Sequence, residues 1–168
     1  MKKLFLIVAF FCAALTVSNA QNKKAEKEAA AKAQFEKAVA AIDARDFVII
    51  VDTYEAGDRN IETNTDDGNF MSCEKEFVFL QGKIVAGNTY TNKCSMSDFK
   101  SSTDKKGNMR VEIQCKGSFV SAKIEIFMKK SGNYADVIIT PVSGEVKRFS
   151  GEVIPRAESK YFKRPGVV

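Results

Sequence analysis

The feature that most constrains the fold is a long stretch in which apolar and polar residues alternate. In its first segment, Met109, Val111, Ile113 and Cys115 alternate with Arg110, Glu112, Gln114 and Lys116, and the same period continues to Val153. A period of two places successive side chains on opposite faces of a β-strand. Polar turns, such as residues 104–107 and 130–133, divide the stretch into short segments. The pattern predicts an antiparallel meander with one wet face.

The residues before this meander predict one helix. Residues 21–45 are rich in Ala, Lys and Glu and contain neither Gly nor Pro. Phe35, Val39 and Ile42 recur at helical spacing, so we expect the second half of the helix to dock and the first half to project. Residues 47–51 are continuously apolar and predict a strand buried on both faces, between sheet and helix. The expected fold class is α+β, an N-terminal helix followed by a curved antiparallel β-meander, sandwich-like or barrel-like.

The first twenty residues have the pattern of a secretory signal peptide. Lys2 and Lys3 form a basic start, residues 4–17 are apolar, and Ser18-Asn19-Ala20 supplies small residues at the cleavage site. The apolar run is shorter than the roughly twenty residues that span a bilayer. We therefore expect cleavage after Ala20, export to the periplasm or the extracellular space, and no transmembrane segment in the mature chain.

The mature chain, residues 21–168, is expected to form a single domain. Its predicted parts are the helix 21–45, the antiparallel sheet 46–155 and a basic tail 156–168. The formal net charge of the whole sequence is +5, which reflects Lys residues spread along the chain. Only residues 160–164 combine basic and aromatic side chains, and nucleic-acid binding needs a larger basic stripe. We therefore expect solvated charge and no nucleic-acid partner.

The composition excludes several kinds of chemistry. The sequence has no His, so it can form no Ser-His-Asp or Cys-His nucleophile system and no HExxH zinc site. Carboxylate catalysis remains possible without His. However, nothing ranks the 21 acidic residues, and the absence of Trp removes the commonest residue for stacking on sugars. We expect no enzyme activity, no catalytic residue and no cofactor.

One polar loop deserves comparison with calcium-binding loops. Residues 58–69 carry oxygen-bearing side chains at alternate positions, as calcium loops do. Thr63 stands where the turn glycine would be, and Asn69 stands where a bidentate Glu would be. The alternative is a polar surface loop, since Asx residues favour turns. We expect this alternative and no metal site, while the spacing leaves cation binding open.

The cysteines limit the disulfide pattern. Removal of the leader takes Cys12 away and leaves Cys73, Cys94 and Cys115, so an exported chain can form at most one internal bridge. If Asp104 pairs with Gly107 across a tight turn, Cys115 lies opposite Met96, one diagonal step from Cys94. That diagonal measures about 7–8 Å between Cα atoms, slightly beyond the usual disulfide range. The expected bridge, if one forms, is Cys94–Cys115, and the alternative is three buried free thiols.

Four segments resemble an uncharacterised family of exported proteins, a domain of unknown function found mainly in the Bacteroidetes. The segments are residues 38–48, the predicted hairpin 69–81, residues 149–155 and residues 158–163. They are strand and turn patterns that carry no chemistry. The resemblance implies an exported β-rich domain with no known activity, and it assigns no functional residue.

Two functions from different classes fit these observations. The first is a non-catalytic binding module of the cell envelope, whose curved sheet holds an apolar small molecule. The alternative is an interaction or structural protein of the envelope, whose exposed sheet face or projecting helix meets another envelope protein. The sequence leaves the choice between them open.

Overall fold

The structure is a computed structural model that describes residues 2–168, with side chains from Lys23 onward. The described residues form two α-helices, α1 (Lys2–Asp43) and α2 (Lys83–Ala86), and a short 3₁₀ helix (Arg156–Glu158). They also form ten strands: β1 (Asp46–Ile50), β2 (Thr53–Glu55), β3 (Ile61–Thr63), β4 (Phe70–Glu74), β5 (Phe77–Gln81), β6 (Thr91–Thr103), β7 (Met109–Gly117), β8 (Ser121–Met128), β9 (Tyr134–Pro141) and β10 (Lys147–Pro155). In this part of the chain, no helix is long and apolar enough to cross a membrane.

Eight of the strands close into an antiparallel barrel. The order is β1-β4-β5-β6-β7-β8-β9-β10, and β10 pairs back with β1 to complete the ring. The short hairpin β2–β3 joins the sheet through β2, which pairs with the first half of β10. The predicted fold class, a helix followed by a curved antiparallel meander, is confirmed in its barrel-like form. Alternation explains the core, because the inward residues of β7 to β10 are buried and their neighbours are not.

The helix α1 is longer than predicted. It extends from Lys2 to Asp43 rather than over residues 21–45, because the apolar leader is also compatible with helix; the leader's side chains lie outside the described residues. Its last turns pack on β1 and β10 and join the barrel core, where Ala38 and Ile42 are buried and Phe35 and Val39 are partly buried. The docking of the second half is therefore confirmed. Residues 23–30 are exposed.

The barrel has two ends of different character. The end that we call the helix end receives the last turns of α1 and carries the β6–β7 turn (104–108) and the β8–β9 turn (129–133). The opposite end, which we call the mouth end, carries α2, the β7–β8 turn (118–120) and the β9–β10 loop (142–146). The two ends follow from the up-and-down strand order, in which successive turns alternate between them.

The strand β1 is buried on both faces, as predicted, but a different element covers its outer face. Phe47 and Ile49 point into the barrel core, whereas Val48 belongs to a second apolar cluster with Phe70 and Phe79 on the outside. The helix does not cover that outer cluster. Residues 156–168, which we call the C-terminal strap, cross it, and the Tyr161 ring packs edge-on against Phe70 with 4.7 Å between centroids.

The strap corrects the prediction of a solvated basic tail. Lys163 donates to a carboxylate oxygen of Glu74 at 2.7 Å and lies over the Phe79 ring at 3.5 Å from its centroid. The fully buried Gln81 holds the strap backbone, since its side-chain NH₂ donates to the Phe162 carbonyl and its side-chain oxygen accepts from Arg164 N. Lys163 and Arg164 are therefore tied to partners 89 and 83 positions earlier in the chain, separations that no local sequence pattern records.

A glycine permits the close approach of β1 and β10. The ladder pairs Ile49 with Val153 and then, beyond a shift of register, Thr53 of β2 with Ser150. Gly151 lies at this shift, and a side chain there would overlap the carbonyl oxygen of Ile50. Only a residue without a Cβ atom lets β10 pair with β1 and β2 in succession.

Candidate functional site

A cleft opens at the mouth end of the barrel. It measures about 460 Å³ and lies between α2, the β7–β8 turn and the β9–β10 loop. Small-molecule sites typically occupy about 300–1,000 Å³ and often lie at the mouths of β-barrels. The cleft therefore has the size and the position of a ligand site.

The rim of the cleft carries exposed apolar side chains. Phe119 in the β7–β8 turn is 70% exposed, and Val142 in the β9–β10 loop is 86% exposed. Below them the wall is formed by buried Val85 of α2 and buried Ile139 of β9. An apolar ligand that entered the cleft would cover the rim residues and gain roughly 25 cal/mol for each Å² of apolar surface buried.

The β7–β8 turn is tight because Gly117, the last residue of β7, has no side chain. Gly117 N donates to the Val120 carbonyl at 2.9 Å, which closes the turn. A Cβ atom at Gly117 would lie 2.8 Å from Cys94 Sγ and 2.7 Å from the Lys93 carbonyl oxygen, closer than real Cβ atoms come. The chain therefore approaches β6 closely at Gly117, and Phe119 in the following turn is exposed and lines the cleft.

Polar groups occupy one wall of the cleft. Lys147 pairs with Glu145 at 3.1 Å, and its aliphatic stem passes Gly87, the left-handed residue that ends α2. Glu145 is 88% exposed, so this carboxylate can leave Lys147 at little cost. Lys147 is the one cationic residue that lines the cleft among the described residues, and it could orient a ligand that carries an anionic group.

The polar loop 58–69 supports the cleft from outside. Its Asn69 side chain accepts a hydrogen bond from Ile84 N at 3.2 Å, which fixes the start of α2. Asp58 accepts from Asn60, and Asp66 accepts from Gly68 N and pairs with Arg164. Asn64, Asp66 and Asn69 bond to one another. Within the described residues, no group of three His, Cys, Asp or Glu side chains could hold a metal ion.

Two thiols lie directly beneath the cleft. Cys94 Sγ donates to the Val120 carbonyl at 3.3 Å, and Cys115 Sγ donates to the Ala122 carbonyl at 3.6 Å. The interaction with the neighbouring Cys115 thiol, together with burial, raises the pKa of Cys94. Burial raises the pKa of Cys73, which lies elsewhere in the core, to about 12. All three are buried free thiols, and the structure brings together the pair for which a bridge was predicted.

The register of the β6–β7 hairpin explains this proximity. Thr103 pairs with Met109, so the turn 104–108 is one residue longer than the predicted tight turn. A bulge at Ser97 compensates for this difference, and Cys115 lies opposite Met96 as predicted. Cys94 therefore remains one diagonal step from Cys115, with Gly117 directly across from it.

The cleft residues were missed by sequence reasoning. They come mainly from α2, the β7–β8 turn and the β9–β10 loop, which are far apart in the chain. Each of these segments is short and partly polar. One local signal was available. Phe119 sits in a turn between two alternating strands, and Val142 follows a strand that had already ended. Bulky apolar residues in turns, without a place in the alternation, indicate an exposed site.

Fold and site together define a small antiparallel barrel with an open, apolar-rimmed mouth. Among solved structures, the chain is similar to a DUF4251 family protein from Bacteroides eggerthii, with a TM-score of 0.69 and 26% sequence identity. The similarity covers 79% of this chain and 94% of that chain. The predicted resemblance to a domain of unknown function found in the Bacteroidetes is thus confirmed. No family model matches the sequence, and no curated protein sequence matches it either.

Proposed function

We propose that the chain is an exported, non-catalytic binding module of the cell envelope and that its ligand is an apolar small molecule held in the cleft. The observation that carries this proposal is the exposure of Phe119 and Val142 on the rim of a cleft of ligand size. Exposed bulky residues cost solubility and persist where they contact something. Lys147 adds a cation that would fix the polar end of an amphipathic ligand.

Several arguments support a binding role rather than catalysis. The chain lacks His, and the cleft contains one carboxylate, Glu145, which is exposed and paired with a lysine. Acid–base catalysis needs a group whose pKa is tuned by its surroundings, and such groups are usually partly buried. The module would act without a cofactor and without nucleic acid. The leader-like start, residues 1–20, supports the placement in the periplasm or outside the cell.

Native mass spectrometry of the secreted protein tests this proposal. We expect a population with a bound organic molecule that is released on denaturation. The Phe119→Ala variant should lose the bound molecule, whereas Phe162→Ala should retain it. Phe162 is a matched control because its side chain is 63% exposed but lies on the strap, away from the cleft. A protein that never carries a small molecule, or equal loss in both variants, would contradict the proposal.

A protein partner in the envelope is the second candidate function. One observation favours it: β3 is the last strand of the sheet order, its residues are exposed, and Ile61 on it is 70% exposed. A free strand edge offers unpaired backbone groups to a strand of another protein. Co-purification of an envelope protein that Ile61→Lys abolishes would support this function over the first.

A further inference from the structure

A lysine occupies an inward-facing position at the mouth end of the barrel. Lys147 is the first residue of β10, in which Phe149 and Val153 alternate inward and are buried. The ladder pairs Lys147 with Ile139 of β9, which is 1% exposed. Residues directly opposite each other lie on the same face of a sheet. Lys147 therefore belongs to the inward face of β10, and it lines the cleft for that reason.

The ammonium group of Lys147 has a single and poorly buried partner. Lys147 Nζ donates to a carboxylate oxygen of Glu145 at 3.1 Å, and within the described residues no other group accepts a hydrogen bond from it. An ammonium has three N–H donors. The side chain of Lys147 is 27% exposed, whereas that of Glu145 is 88% exposed. The cation is thus largely withdrawn from water into the cleft, while the carboxylate that balances it stays in the solvent.

A ligand can supply a better partner than Glu145 does. Residues 142–146, the loop that carries Glu145, are all exposed, and an ion pair with a solvated partner is weak because water screens the charges. A ligand whose apolar part covers Phe119 and Ile139 would exclude water from the cleft. An anionic group on that ligand would then meet Lys147 at a lower local dielectric constant, where the attraction between the charges is stronger.

We propose that the ligand of the cleft is an amphiphile with a single anionic head group, of the alkyl carboxylate class, and that Glu145 is an internal competitor that this head displaces from Lys147. The inference rests on the proposed ligand site and adds the chemical class of its ligand. Among the described residues that line the cleft, Lys147 is the only cation and Glu145 the only carboxylate. One cation balances one negative charge. A cationic head would instead pair with the solvated Glu145 and leave Lys147 without a partner inside the cleft, which is costly.

Isothermal titration calorimetry of the full mature chain tests the inference with three probes: decanoate, decanol and decylammonium. The three share one alkyl chain, so differences in affinity between them report the head group. We expect decanoate to bind about tenfold more tightly than decanol, because it accepts a charge-assisted hydrogen bond from Lys147. Decylammonium should bind more weakly than decanol.

Two variants separate the roles of the lysine and of its competitor. Lys147→Met keeps an unbranched side chain and removes the charge, so it should bind decanol like the wild type and lose the preference for decanoate. Decanol binding also shows that the cleft of this variant is folded. Glu145→Gln should bind decanoate about threefold more tightly and decanol unchanged. When Lys147→Met is already present, Glu145→Gln should have no further effect, because competition requires the lysine.

Lys116→Met is the matched control. Lys116 lies at the same end of the barrel but is exposed on the outer face of β7, so this variant should keep the preference for decanoate.

The outcomes distinguish this inference from the proposed function. If none of the three probes binds, the cleft is not a site for apolar ligands, and both proposals fail. If decanol binds the wild type as tightly as decanoate, or if decylammonium binds most tightly, the ligand site stands and the anionic head group is overturned. Equal losses of preference in Lys147→Met and Lys116→Met would overturn it as well. An equal gain from Glu145→Gln with and without Lys147 would show repulsion of the anion and overturn the competition.

Discussion

Cys94 and Cys115 lie one diagonal step apart on adjacent strands, and both thiols are buried beneath the cleft. A disulfide between them requires the diagonal of about 7–8 Å between their Cα atoms to shorten slightly. Gly117 directly opposite Cys94 leaves the space into which its sulfur extends.

A bridge formed on oxidation should therefore join Cys94 to Cys115. Incubating the folded protein with glutathione disulfide would oxidise the two thiols and reduce one equivalent of the reagent to two glutathione thiols. Thiol counting after denaturation should then find one free thiol in the mature chain. Peptide mapping should place it at Cys73, whose partners on the neighbouring strands are Phe47 and Val78 rather than a cysteine. Three free thiols, or a bridge that includes Cys73, would refute the pairing.

Gly151→Ala should strongly destabilise the barrel. The new methyl group would overlap the Ile50 carbonyl oxygen, so the β1–β10 closure would have to open locally. We expect a loss of about 3 kcal/mol in the free energy of unfolding, measured with urea. Gly132→Ala is the matched control, since nothing lies within 4 Å of a Cβ atom at that position. Similar effects of the two substitutions would show that β10 does not approach β1 as closely as described.

The attachment of the C-terminal strap should weaken in acid. Burial works against the charged form of Glu74, but hydrogen bonds from Lys163, Ser72 and Tyr161 outweigh it and lower the pKa of this carboxyl below its ordinary value of 4.5. A lowered folded pKa adds stability that is present above the ordinary value and is lost as the pH falls through the folded value. Glu74→Gln should cost about 1 kcal/mol at neutral pH, and the difference from wild type should shrink below pH 4.5.

The exposed neighbour Glu76 provides the control for this experiment. Glu76 lies two residues after Glu74, in the turn between β4 and β5. Glu76→Gln removes the same charge but leaves the contacts of the strap with Glu74 intact. Its free energy of unfolding should follow that of the wild type across the acid range. If Glu74→Gln and Glu76→Gln changed stability equally at every pH, the strap would not depend on the Glu74 carboxylate.

Export should remove the first twenty residues. Intact mass of the secreted protein should match a chain that begins at Gln21, as the small residues at 18–20 predict. A secreted product that retains Met1 would contradict cleavage. The mature chain would still contain Phe35, Val39 and Ile42, so the docked part of α1 and its packing on the barrel should survive.

The sequence predicted those parts of the fold that local periodicity determines. Alternation from Met109 to Val153 placed β7 to β10 and their inward residues correctly, because each strand has one buried face. The register at Cys115 was also right, although it results from a longer turn and a bulge at Ser97 that offset each other. Neither feature alone could be inferred from composition.

The parts that the sequence did not predict depend on contacts between distant segments. The strap is ordered by Glu74 and Gln81, and the cleft needs α2, Phe119 and Val142 to meet at one end of a closed barrel. No local pattern encodes such a meeting. The polar loop 58–69 also had two possible interpretations, and the hydrogen bond that Asn69 accepts from Ile84 N of α2 became visible only in three dimensions.

Tryptophan fluorescence gives the most direct test of the cleft as a ligand site. The chain has no Trp, so Phe119→Trp introduces a single indole at the rim and Phe162→Trp introduces one on the strap. The probe is 9,10-dibromostearic acid, whose bromine atoms quench an indole only at short range. The account predicts saturable quenching in Phe119→Trp and none in Phe162→Trp. Equal quenching in both variants, or none in Phe119→Trp, would contradict the assignment of the cleft as the binding site.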